Sequence, residues 1–354
     1  MISTNMCRIT ILILSCIAYL PGILYAAAAY ANPYTKQIVG KLEVPGREWT
    51  EIEFVDVNAF AVDETPRFGT LSKTIFRGPK LGQLVHTIFP PAWNSRMSPG
   101  GPHYHLFHEW GYTLKGDSVL YEAISPHQMN GKMEWKPEGG WLDRPPFSIH
   151  SVNWITGGGL RPQTPYHLLI FEEGDGSLIT IPRDGSIGDH YGLERRFQPD
   201  PYKPDWTKVE QWNVPWLVDT AHDLEWEPDR NIPGRFIKWL SDDWKGGFRA
   251  QLIKIPPGWV PPEGGGRSYY KKANVMRYML FGEMKVWSFR DDEDKSGTTV
   301  TVKEDFFIYQ PPRSIWGYGN SPVTGLYGAT WLEVTYAEGL SHGDGPIETP
   351  TVID

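Results

Sequence analysis

Apolar residues in this chain fall in short runs broken by glycine, proline and aspartate, and a sustained helical spacing is hard to find. Leu84-Val85-His86-Thr87-Ile88-Phe89, His167-Leu168-Leu169-Ile170-Phe171 and Thr298-Thr299-Val300-Thr301-Val302 are typical. Runs of this length, rich in β-branched and aromatic residues and bounded by turn formers, predict many short strands and an all-β sandwich or barrel.

The N-terminus departs from that pattern. Arg8 precedes an apolar stretch from Ile9 to Tyr25, interrupted by Pro21-Gly22 and followed by alanines. Ala29-Tyr30-Ala31 fits a small-x-small cleavage site, so residues 1–31 read as a secretory signal peptide and Asn32 as the first mature residue. An uncleaved anchor is the alternative, since Ile9 to Ala31 nearly spans about 30 Å of hydrocarbon. The central Pro-Gly and the cleavage site favour removal and a periplasmic or secreted product. Cys7 and Cys16 both lie in this leader, which leaves the mature chain without disulfides or thiolate ligands.

The rest of the chain repeats itself. An offset of 166 carries Pro90-Pro91-Ala92-Trp93 onto Pro256-Pro257-Gly258-Trp259, Tyr112 onto Tyr278, Gly116 onto Gly282 and Pro145-Pro146 onto Pro311-Pro312. Self-similarity at a domain-sized period means two copies of one structural unit. The expected organisation is a first domain over 32–195, a proline-rich crossover over 196–220 and a second domain over 221–354.

Only the first copy carries metal-ligand chemistry. His103 and His105, two residues apart, share one face of a strand. Glu109 follows, and His150 lies on a later strand. Three imidazoles and a carboxylate suit Zn, Mn, Fe, Ni or Cu and leave coordination positions open. At the offset positions the second copy has Tyr269, Lys271, Val275 and Trp316, so its turn residues persist while every ligand is lost.

His103-x-His105, three residues, Glu109, six residues and Gly116 resemble the first motif of the cupin superfamily. Gly139, five residues, Pro145, x, Phe147, two residues, His150 and then Asn153 resemble the second. Met97 stands where the first motif has its leading glycine, Phe147 replaces an inner glycine of the second, and Asn153 comes one residue early. The resemblance implies two tandem cupin (double-stranded β-helix, or jelly-roll) barrels. It also implies one divalent transition metal on His103, His105, Glu109 and His150, and a degenerate second barrel without metal. That second barrel is either structural or a separate pocket, in which Tyr269, Tyr270 and Trp316 with Arg267, Arg277 and Arg313 receive an anionic or aromatic molecule.

Aromatics make up 14% of the residues, with 16 Trp, and many flank the ligand motifs, which points to an aromatic or sugar-like substrate, or else to simple filling of the core. Tyr112 and Tyr121 are the acid/base or substrate-orienting candidates, with Glu109 as a second proton acceptor. His108 is either a polar residue of the connecting loop, a substitute ligand or an acid/base neighbour of the reacting groups. The leading expectation is an exported metal-dependent oxidoreductase of dioxygenase type, a plan similar to fungal quercetinases. A lyase or isomerase acting on a sugar acid or similar small carbonyl compound is the alternative, and a metal-containing binding or storage protein is another. The formal charge of −8 becomes −9 once Arg8 leaves with the leader, and with no basic run this argues against nucleic acid as a partner. A small-molecule substrate is the expected partner, with pairing of two chains as a further possibility by family analogy.

Overall fold

The computed structural model describes residues 52–60, 62–65, 70–78, 82–91, 93, 103–122, 132–146, 148, 150, 164–173, 179–180, 216–219, 224–262, 266–319, 323–337 and 345–353. The expected leader over 1–31, both cysteines, Phe147, Asn153 and most of the expected crossover over 196–220 lie outside the described residues. Among those described, one 3-10 turn at Val57–Ala59 interrupts an otherwise all-strand chain. The short alternating runs are strands, as their pattern predicts: Phe248–Ile255 buries every second side chain over most of its length.

Two large antiparallel sheets dominate. The seven-stranded sheet runs, in spatial order, Trp216–Asp219, Gly140–Arg144, Glu109–Lys115, Tyr166–Glu172, Gly82–Phe89, Thr70–Gly78 and Asp63–Thr65. Seven strands of the eleven-stranded sheet repeat that order: Glu53–Asp56, Phe306–Gln310, Asn274–Phe289, Thr324–Tyr336, Phe248–Ile255, Phe236–Asp243 and Glu227–Pro228. The 166-residue offset therefore relates whole strands, for Gly82–Phe89 maps onto Phe248–Ile255. It relates turns as well. Trp93 N donates to Pro90 O (3.1 Å) as Trp259 N does to Pro256 O (3.3 Å), and Ser148 N to Pro145 O (3.2 Å) as Ser314 N does to Pro311 O (3.3 Å). Gly116 and Gly282 both have positive φ, 74° and 75°, and a Cβ on either would meet a backbone oxygen at 2.5 or 2.1 Å.

Among the described residues, the first strand of each repeat serves the other barrel. Glu53–Asp56, from the start of the first repeat, pairs with Phe306–Gln310 of the second; Trp216–Asp219, at the end of the crossover segment, pairs with Gly140–Arg144 of the first. The registers are equivalent, since Phe54 faces Ile308 and Leu217 faces Leu142.

Aromatic side chains fill the seam between the barrels. Phe76 lies 5.3 Å from Tyr309 and 6.1 Å from Phe307, between ring centroids. Trp110 stacks on Trp141 and Phe171 at 5.3 and 5.6 Å, and Phe171 meets Tyr336 at 5.6 Å. Each such side chain buries a large apolar area and favours offset or tilted ring contacts.

Candidate metal centre

Strand alternation decides what faces the first barrel's interior. Glu109, Gly111 and Thr113 share one face of Glu109–Lys115, while Trp110 and Tyr112 share the other. Across the sheet, Arg144 stands opposite Glu109 on one side and Glu172 opposite it on the other. Arg144, Glu109 and Glu172 thus form one row over three strands.

The histidines reach that row from a separate pair of chain segments. His103 and His150 form a two-hydrogen-bond bridge, His103 N to His150 O at 3.0 Å and His150 N to His103 O at 2.9 Å. Their ring centroids are 4.4 Å apart, and each lies 5.2 Å from the ring of His105. One ring nitrogen from each of the three lies within 4.8 Å of the others. His105 Nε2 is 3.2 Å from Glu109 Oε2 and His150 Nε2 is 3.7 Å from Glu109 Oε1. Donors that share one ion at about 2.0–2.1 Å stand roughly 3 to 3.5 Å apart; His105 and Glu109 already meet that spacing, and a divalent cation would draw in the other imidazoles.

Hydrogen bonds and charge prepare the donors. His150 Nδ1 donates to Ser148 O at 3.0 Å, which leaves Nε2 as the lone-pair nitrogen on the cluster side. Burial, and then the Arg144 cation and the His103 ring, hold the His150 imidazole well below its ordinary value, hence neutral. Burial opposes ionisation of Glu109. The Arg144 guanidinium, followed by His150 and His105, outweighs it and holds the carboxyl well below the usual range. Arg144 Nη1 donates to Glu109 Oε1, which leaves Oε2 turned to His105.

The structure thus brings His103, His105, Glu109 and His150 together. It separates Tyr112 from them: that ring shares the Trp110 face, opposite Trp141 and Leu169, and is turned away from the ligand cluster. The correction follows from parity, because residues three apart on a strand point to opposite sides. Tyr121 pairs with Met133 in a small two-stranded sheet, and its side chain lies outside the described ones. Trp110 and Trp141 likewise belong to the seam. His108 sits behind Glu109, buried.

Glu172 and Arg144 are the site residues that sequence reasoning missed. Glu172 forms a second group with His105 and Glu109, all within 4.8 Å, and Gln83 Nε2 donates to its Oε2 at 2.5 Å. Their only sequence signal is strand phase, and it becomes useful only once the register across strands is known.

No family model and no curated protein matches the sequence. Solved structures do. The chain is similar to oxalate decarboxylase from Bacillus subtilis, at 13% identity and a TM-score of 0.52, over 87% of this chain and 82% of that one. It is similar to a formate complex of oxalate decarboxylase from Lactobacillus farciminis, at 14% and 0.51, over 85% and 88%. Protein Ylba from E. coli matches at 11% and 0.52, over 85% and 96%. The fold is that of a bicupin.

The second barrel of this bicupin has filled the equivalent space with its own charges. Val275 and Trp316 are buried where the first barrel has Glu109 and His150, and Lys271 is exposed. Arg277, at the position offset from Gly111, donates to Glu333 Oε2 at 2.7 Å and to Gln310 Oε1 at 2.8 Å. Gln251 Nε2 holds Glu333 Oε1 at 2.9 Å. Arg267 donates to the carbonyls of Asp292 and Asp294. Arg267 and Arg277, two of the three arginines considered for an anion pocket, therefore have internal partners, while Arg313 is exposed, and the two buried pairings support a structural second barrel. Among the described residues, both groups able to hold a metal fall in the first barrel.

Proposed function

We propose that the first barrel is a metal-dependent enzyme site, and that its substrate is a small carbonyl compound bearing a carboxylate. The reaction class that fits is lyase or isomerase chemistry. The observation that carries this reading is the row Arg144–Glu109–Glu172 beside three converging imidazoles. A divalent ion on His103, His105, Glu109 and His150 would polarise a carbonyl or carboxylate oxygen. Arg144 keeps Glu109 ionised and adds fixed positive charge on the face an anionic substrate would approach. Glu172, fixed by Gln83, is the carboxylate placed to exchange a proton with a bound molecule. The neighbours support the class: oxalate decarboxylase acts on a small dicarboxylate, as its name states, and its Bacillus subtilis form has Mn(II) centres. The leader pattern of residues 1–31 supports action outside the cytoplasm.

Trp110 and Trp141, which flank the ligand motifs, pack in the seam, whereas the Phe107 ring lies 4.8 Å from that of His105. Oxygen-dependent chemistry keeps one argument in its favour, a donor set rich in imidazole that suits iron and copper as well as manganese.

Metal-loaded protein incubated with a panel of oxo acids and dicarboxylates, under nitrogen and in air, separates the readings. Turnover of a carboxylate substrate without net oxygen consumption supports the proposal. Oxygen uptake confined to polyphenols or 1,3-diketones would establish the dioxygenase instead. Binding without turnover would make the protein a metal-containing ligand carrier.

A further inference from the structure

Behind the row that faces the metal centre lies a second row made of the same residues' chain neighbours. Asp143 precedes Arg144, His108 precedes Glu109 and Glu173 follows Glu172. His108 Nε2 is 2.5 Å from Asp143 Oδ1, its Nδ1 is 3.2 Å from Glu173 Oε1, and Glu173 N donates to His108 O at 3.1 Å. This imidazole is buried between two carboxylates, on the side away from the ligands.

The remaining partners come from the second barrel. The Tyr336 hydroxyl is 3.3 Å from His108 Nδ1, and the Phe248 ring packs edge-on against the imidazole at 4.6 Å. Ser241 Oγ donates to Asp143 Oδ2 at 2.7 Å and accepts from Trp141 Nε1 at 3.0 Å. Burying His108 and Glu173, with Asp143 half-buried beside them, at an interface otherwise filled by aromatic rings carries a desolvation penalty that a plain apolar seam would avoid. The offset positions behind the metal-free barrel show the plainer solution: Asn274 and Tyr309 replace His108 and Asp143, and Tyr309 Oη simply donates to Asn274 Oδ1 at 2.6 Å.

We infer that the second barrel braces the metal centre, with Tyr336, Ser241 and Phe248 acting as positioning residues. They hold His108 and Asp143, and one peptide bond further on those two fix Glu109 and its partner Arg144. Groups that orient metal ligands typically affect metal affinity by about 10- to 100-fold when removed. The metal-free barrel would then be kept for the geometry it imposes across the seam. This rests on the metal-centre reading above.

The test is a Mn(II) titration of metal-stripped full-length protein, followed by the electron paramagnetic resonance signal of the free aquo ion. Tyr336→Phe and Ser241→Ala each remove one hydroxyl, and each should weaken Mn(II) binding by about tenfold and alter the spectrum of the bound ion. Tyr309→Phe, which removes a buried seam hydroxyl behind the barrel without ligands, should lower the unfolding midpoint while leaving Mn(II) affinity within about twofold of the parent. Unchanged affinity in Tyr336→Phe and Ser241→Ala, or an equal loss in Tyr309→Phe, overturns the bracing. A parent protein that takes up neither Mn(II) nor Zn(II) overturns the metal centre itself, and the bracing with it.

Discussion

The guanidinium of Arg277 lies 4.1 Å from the ring centroid of Trp316, the residue that occupies the His150 position in the second barrel. One barrel gathers donors around a space suited to a cation, while the other supplies a cation of its own and pairs it with Glu333.

That pair should behave as a buried ion pair. Arg277→Met leaves Glu333 without its main counter-charge and should destabilise the protein by roughly 3–5 kcal/mol. Arg277→Met with Glu333→Gln should recover much of that loss in denaturant unfolding. Burial opposes ionisation of Glu333, but Arg277 and then Arg235 hold its carboxyl below the ordinary value of 4.5. Its contribution is therefore complete above that value and is lost as the pH falls through the lower folded value. The parent should lose stability on acidification below about pH 4.5 through this group, and the double variant should lack that component.

Metal content distinguishes the two barrels directly. His150→Ala should abolish the bound ion while Trp316→Ala leaves it in place, as read by elemental analysis of purified protein. Equal loss in both variants would contradict the ligand assignment.

Glu172 adds a second carboxylate oxygen beside His105 and Glu109. Hard oxygen donors favour manganese over softer partners. Glu172→Gln should therefore weaken Mn(II) binding more than Zn(II) binding in a competition titration. Parallel changes for both ions would show that the carboxylate plays no part in metal choice.

Gly116→Ala and Gly282→Ala should each destabilise by more than about 1 kcal/mol, because both sites need positive φ and close backbone approach. Thermal melts of the two variants should shift alike if the repeats share this turn.

The sequence disclosed the repeat with unusual clarity because turn geometry is local: Pro90 and Pro256 close the same turn whatever packs around them. The convergence of His103, His105 and Glu109 was legible for the same reason, since their spacing is set within one stretch of chain. Glu172 was not, because its proximity to Glu109 depends on which strands pair and in what register. Tyr112 is a different kind of miss. Its odd separation from Glu109 already placed it on the opposite face. Which aromatic residues lie near the donors was not legible, because a tryptophan contributes the same large apolar surface to an interface as to a binding pocket, and only the fold shows which face it lies on.

The exchange of Glu53–Asp56 and Trp216–Asp219 bears on how such a chain arose. A polypeptide holding a single repeat would lack one edge of its own sheet while projecting a spare strand, and two such molecules would complete each other. Joining them end to end turns that mutual dependence into an internal one. With each barrel completed by a strand from the other, the integrity of the assembly does not depend on donor residues in either half.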